Sequence, residues 1–247
     1  MHRFANPAQF QKISHAVLPF AVAIAVLCGA LGLYGALVAS PPDYQQGEAV
    51  RIMYIHVPAA WMGSFLYGAM AVLSLCFLVW RHPVADVLAR ETAPVGAVFT
   101  LITLITGMLW GKPMWGAFWV WDARLTSVLI LMLLYLGYMA LAASNEGSER
   151  GKVACAWLAL IGAINLPIIK FSVQWWNTLH QPASIIRLDG PTIDASMLRP
   201  LLLMIAAYMA LATVLVLVRA NTAFSAQKLR RLQIQRIARK NAAIEKK

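Results

Sequence analysis

The sequence predicts an all-α integral membrane protein with six transmembrane helices, and three observations carry that expectation. Of 247 residues, 60% are hydrophobic and 13% charged, against about half and about a quarter in a soluble globular domain. Mean hydropathy is +0.66. The charges are also gathered outside six long uncharged runs. Stretches of that kind have no face to offer water, which excludes a soluble globular fold.

The runs are residues 17–38, 57–80, 93–110, 125–144, 153–169 and 200–218, with lengths of 22, 24, 18, 20, 17 and 19. A hydrocarbon core of roughly 30 Å needs about 20 helical residues, with about 17 to 25 tolerated. Each run reaches that range, the fifth only just. In lipid a span must satisfy its own backbone hydrogen bonds, so the runs are helices and not strands. The first run is too long for a signal-peptide core and is expected to be retained. Pro58, Pro94 and Pro200 are expected near the starts of their helices, where a missing N–H costs little. Pro167 is expected to kink or end the fifth span. Residues 1–218 thus form a membrane domain and 219–247 a basic tail.

Six spans put both termini on one side, together with 81–92 and 145–152; the other side holds 39–56, 111–124 and 170–199. The terminal side carries 15 Lys and Arg, the other side 6. The positive-inside tendency places the termini in the cytoplasm, although without the tail the two sides are level. The opposite connections are longer and rich in Trp, Pro, Asn and Gln, which marks that face, the periplasmic one in a bacterium, as the working surface. In the tail, nine basic residues stand against Glu245 alone, with Phe224, Leu229, Leu232, Ile234, Ile237 and Ile244 interspersed. A helix on anionic membrane lipid explains that composition. It removes most of the reason to invoke nucleic acid for the net charge of +11.

Cys28, Cys76 and Cys155 each fall within a span and no Cys-x-x-Cys is present, so they read as small core residues. Trp110, Trp115, Trp119 and Trp121 put four of the nine tryptophans into one connection that also holds Gly111, Pro113 and Gly116. Composition leaves two readings equally open: an interfacial aromatic belt, or a platform for a planar aromatic ligand. Of the five histidines, His2, His15 and His82 fall on the terminal side, and His56 and His180 share a side with the Trp connection. Two imidazoles can fill both axial positions of haem iron. The outer carboxylates Asp43, Glu48, Asp122, Asp189 and Asp194 show no zinc-ligand spacing. Lys112 and Arg124 bracket the Trp connection and are candidates for the haem propionates, as are Arg51 and Arg187. Interfacial snorkelling explains these cations equally well or better.

The segments WGKPMWGAFWVWDARLTS (residues 110–127), DYQQGEAVRIMYIHVPAAW (43–61) and NLPIIKFSVQWWNTLHQ (165–181) resemble the Trp-rich motif and the two His-bearing segments of the cytochrome c maturation protein C family, CcmC. The likeness in motifs runs from about Pro41 to Gln181; outside it only hydropathy agrees. It implies six spans in the bacterial inner membrane and haem b, as transient cargo, on the periplasmic face. His56 and His180 would be the axial iron ligands, with Trp110, Trp115, Trp119, Trp121, Asp122, Lys112 and Arg124 around the ring. It further implies delivery to the haem chaperone CcmE, with CcmD and the CcmA/CcmB ABC transporter as partners, and a carrier rather than an enzyme. Two other functions compete. A membrane subunit of an ABC exporter would need ionisable residues in its spans or a partner's ATPase, since the uncharged runs contain none and no phosphate-binding loop is present. A bis-His electron-transfer cytochrome would carry its histidines on the spans.

Overall fold

The computed structural model describes residues 5–176, 178–180, 190 and 192–244; His2, Arg187, Asp189 and Glu245 lie outside the described residues. These form seven α-helices in succession: α1 (Pro7–Tyr34), α2 (Met53–Trp80), α3 (Pro83–Trp115), α4 (Ala123–Ser144), α5 (Glu149–Gly162), α6 (Asn165–Trp175) and α7 (Ala195–Ile244). Six helical stretches are long and apolar enough to cross a membrane, with α5 and α6 together forming one of them. The chain is a multi-pass, all-α membrane protein, and the described residues contain no strand.

α3 outruns its uncharged run because the charges in its first turns are paired. α3 starts at Pro83, where the His82 Nδ1 accepts from the Ala85 N–H at 3.2 Å. Its first turns carry Asp86 with Arg90 at 4.0 Å, and Glu91 with Arg219 of α7 at 2.9 Å. Pro94 therefore lies well inside α3 and not near its start, which corrects the expectation; Pro58 and Pro200 fall in the second turns of α2 and α7. The break expected in the fifth span is present, but Pro167 opens α6 and does not close the span. As the third residue of α6 it occupies a position whose N–H has no partner within the helix anyway. The Asn165 side-chain amide donates to the Ser127 carbonyl at 2.8 Å and ties α6 to α4.

Small residues let the central helices approach closely. Tyr67 and Tyr135 are fully buried and meet edge-on at 4.9 Å. The Tyr135 hydroxyl donates to the Gly63 carbonyl at 2.8 Å, and it occupies the space a Cβ on Gly96 would need. α2 and α3 make the broadest contact, α4 and α5 close the same core, and α1 packs on α7.

The start of α1 and the middle of α7 meet at one end of the bundle. Phe10 packs on Phe224 at 5.4 Å, and the Asn221 amide donates to the Ser14 hydroxyl at 2.7 Å. α7 runs without interruption from the last span to Ile244, so the basic segment as far as Ile244 continues that helix. The opposite end gathers residues 40–52, 116–122, 178–180 and 192–194, and the tryptophans and histidines singled out above meet there.

Candidate functional site

At that end, α2, α3, α4, α6 and the start of α7 surround a cavity of about 820 Å³, within the range of roughly 300–1,000 Å³ common for small-molecule and cofactor sites. Its wall includes His56, Trp110, Trp115, Trp119, Arg124, Lys170 and His180. Residues far apart in the chain thus converge on one space.

A 3₁₀ turn at Glu48–Ile52 leads directly into α2 and puts His56 in the first turn of that helix, inside it and not on the loop before it. Its Nδ1 lies 3.0 Å from the Thr106 hydroxyl of α3, and the Trp110 ring stands edge-on to it at 5.6 Å. Gly107 gives the imidazole room, because a Cβ there would sit 3.1 Å from the His56 Cε1. Trp110 is itself held by its indole N–H, which donates to the Gln46 side chain at 3.0 Å.

His180 lies in the connection before α7. Its Nδ1 donates to Asp122 Oδ2 at 2.9 Å, and the Trp115 ring meets it edge-on at 4.9 Å. Asp122 is also the N-cap of α4, its other oxygen accepting from the Leu125 N–H at 2.7 Å. Burial pushes the His180 imidazole below its ordinary range although the neighbouring carboxylate pulls the other way. The contact is therefore a hydrogen bond from a neutral ring more than an ion pair. With Nδ1 as the donor, Nε2 carries the free lone pair that a metal requires.

α3 ends at Gly116, whose φ of +76° closes the helix with its N–H on the Lys112 carbonyl at 3.0 Å. Gly111 allows Trp115 to fold against the end of its own helix, since a Cβ there would meet that ring at 3.0 Å. Trp119 lines the cavity, and its buried indole N–H has no partner among the described residues. Trp121 packs edge-on against Trp119 at 5.4 Å but is 75% exposed and is not part of the cavity wall.

The cations separate in the same way. Arg124 lines the cavity and donates to the Ser172 hydroxyl at 3.3 Å. Lys112 turns outward onto the Gly116 carbonyl at 3.0 Å and the Phe118 ring. Arg51 is occupied by Glu48 and by the Ala36 carbonyl. Lys170 of α6, which sequence reasoning counted only as a basic residue of the outer side, lines the cavity and makes no hydrogen bond or ion pair among the described residues. Trp61, Phe65, Lys170 and Gln174 belong to the wall and are exposed, so the cavity opens sideways between α2 and α6. Thr106 and Gly107 were likewise missed; nothing local marks a threonine and a glycine inside an apolar helix.

The residues fit a haem. Two imidazoles, the His180 one neutral and backed by a carboxylate, share a cavity of sufficient volume with four indoles, one of them with an orphaned N–H, and two cations. A family model described as "Heme exporter protein C", CcmC, matches residues 1–235. The chain belongs to the CcmC family. The match reaches both the first forty residues and most of the tail, beyond the segments in which the motifs are legible. A heme exporter protein C of Bradyrhizobium diazoefficiens is 52% identical over 235 residues, covering 95% of this chain and 89% of that protein. The one of Escherichia coli K12 is 41% identical over 231 residues, 94% and 93% of the two chains. A putative cytochrome c biosynthesis ccmC-like mitochondrial protein of Marchantia polymorpha is 52% identical over 179 residues, 72% and 75% of the two chains.

Proposed function

We propose that this protein binds haem b as cargo at the periplasmic face of the bacterial inner membrane and hands it to the haem chaperone CcmE for c-type cytochrome biogenesis. It works beside CcmD and the CcmA/CcmB ABC transporter and is a carrier, not an enzyme. The observation that carries this reading is the meeting of His56 and His180 on one cavity, each with its Nδ1 engaged and flanked edge-on by a tryptophan of α3.

In this reading His56 and His180 supply Nε2 to the two axial positions of the iron, the only chemistry asked of the cargo. The chain's own groups do the rest. Trp110, Trp115 and Trp119 offer apolar area and keep water from the ring, and Arg124 and Lys170 meet the propionates. The carboxylate behind His180 makes it a stronger donor than His56, which is backed by a neutral hydroxyl. The exposed Trp121 remains free to contact the acceptor. A wall open to the side suits release of the cargo better than permanent retention. His56 within α2 meets one condition of the electron-transfer reading, and reversible reduction coupled to quinol would favour that alternative.

The test is transfer. Haem-loaded protein in detergent is mixed with haem-free CcmE, and the two are separated and their spectra recorded. Haem moving to CcmE supports the reading; haem that stays on this protein under all conditions overturns it.

A further inference from the structure

Thr106 lies in the last third of α3, fifty residues from His56, in a stretch whose composition marks it only as membrane-spanning. Its hydroxyl has three neighbours. The Ile102 carbonyl, one turn back, lies 2.6 Å away, the Thr103 carbonyl 3.3 Å away and the His56 Nδ1 3.0 Å away. Two oxygens 2.6 Å apart repel unless a hydrogen lies between them, and a carbonyl oxygen can only accept, so the single hydroxyl hydrogen points to the carbonyls of the preceding turn, Ile102 first. What remains toward His56 is an oxygen lone pair, and the Nδ1 facing it must carry a hydrogen and donate. The imidazole is thereby fixed in the tautomer whose Nε2 has a free lone pair, and that nitrogen is left to the cavity His56 lines. Gly107 beside it leaves the ring just enough room, 3.1 Å from where a Cβ would stand, and Trp110 braces it edge-on. Three residues within two turns of α3 therefore define where His56 points.

We propose that Thr106 is a positioning residue for iron ligation: it holds His56 in the tautomer and orientation that present Nε2 to the cargo, as Asp122 does for His180. The inference rests on the reading of His56 as a ligand. It adds to that reading that a hydroxyl with its hydrogen committed elsewhere, and not merely any residue of that size, is required at 106.

The experiment compares Thr106→Val, Thr106→Ser and Thr106→Ala with the parent protein and with His56→Ala, all purified in detergent and titrated with haem. Thr106→Val keeps the shape and removes the acceptor. It is expected to weaken haem binding by roughly 10- to 100-fold, as loss of such supporting partners does elsewhere, and to shift the spectrum from low-spin six-coordinate toward high-spin five-coordinate. Thr106→Ser, which restores the acceptor, returns the parent spectrum, and Thr106→Ala does not. Free imidazole restores the low-spin spectrum of Thr106→Val, a rescue that a purely structural defect would not show. The double variant Thr106→Val/His56→Ala is no worse than His56→Ala alone, because the two residues act as one unit. Helical circular dichroism and monodispersity of the haem-free variants establish that they fold; should Thr106→Val fail that check, the Ser and Ala pair decides. A parent-like spectrum in both Thr106→Val and Thr106→Ala, or a double variant additive over His56→Ala, overturns the proposal. If His56→Ala itself leaves the spectrum unchanged, it is the reading of His56 as a ligand that fails.

Discussion

Asp122→Asn separates the two tasks of a single carboxylate. One oxygen caps α4 at 2.7 Å from the Leu125 N–H, and the other accepts from the His180 Nδ1 at 2.9 Å. Asn and Asp are equally good N-caps, whereas truncation to Ala at such a position costs about 0.5–2 kcal/mol. The introduced amide would keep its oxygen on the Leu125 N–H and turn its NH₂ toward His180. An NH₂ can only donate, so Nδ1 would have to accept, the ring hydrogen would move to Nε2, and the lone pair needed by iron would be lost. The expected outcome is a haem-free protein whose thermal midpoint stays at the parent value and whose haem affinity falls roughly 10- to 100-fold, about 1.4–2.7 kcal/mol. Asp122→Ala should lose both affinity and midpoint. Thermal unfolding of the haem-free proteins in detergent measures the first quantity, and haem titration followed by absorption the second. Parent-like affinity with a low-spin spectrum in Asp122→Asn would refute this assignment of the tautomer.

Gly107→Ala places a methyl 3.1 Å from the His56 Cε1 and should lower the six-coordinate fraction, recoverable with free imidazole, while the His180 side is unaffected; an unchanged spectrum would mean that the ring moves aside without consequence. Trp119→Ala should weaken haem retention because Trp119 lines the cavity, whereas Trp121→Ala, at a residue 75% exposed, should leave retention alone and reduce loading of CcmE; the reverse pattern in the two assays would exchange their roles. Reporter fusions after Ser144 and after Lys247 should read cytoplasmic and one after Gly116 periplasmic; inversion would place the cavity on the wrong side for a periplasmic acceptor.

The architecture was legible because lipid imposes a rule that uncharged length reveals directly. Where that rule reads charge too literally it misplaces boundaries, as at Pro94, because Asp86, Arg90 and Glu91 are tolerated in a helix once paired. The participants of the site were legible by residue type: imidazoles and indoles on one side of the membrane are few. Their relations were not. Asp122 and His180 are 58 residues apart, and His56 and Thr106 are 50, and no periodicity links positions on different helices. A mid-helix threonine bonded to the preceding turn is the ordinary state of threonine in a membrane helix, so Thr106 carries no signal until its contact with His56 is seen. Lys112 and Arg124 look equivalent as brackets of the Trp connection, yet Gly116 ends α3 so that Lys112 folds back onto the Gly116 carbonyl while Arg124, in the first turn of α4, lines the cavity.

The absorption spectrum of the purified, haem-loaded protein, recorded beside His56→Ala and His180→Ala, bears most directly on the site. The parent should show low-spin, six-coordinate haem. Each single variant should become five-coordinate or lose its haem, His180→Ala suffering more because its ring is the one backed by a carboxylate, and free imidazole should partly restore both. Unchanged low-spin spectra in the two variants would place the iron ligands elsewhere and contradict the site as described.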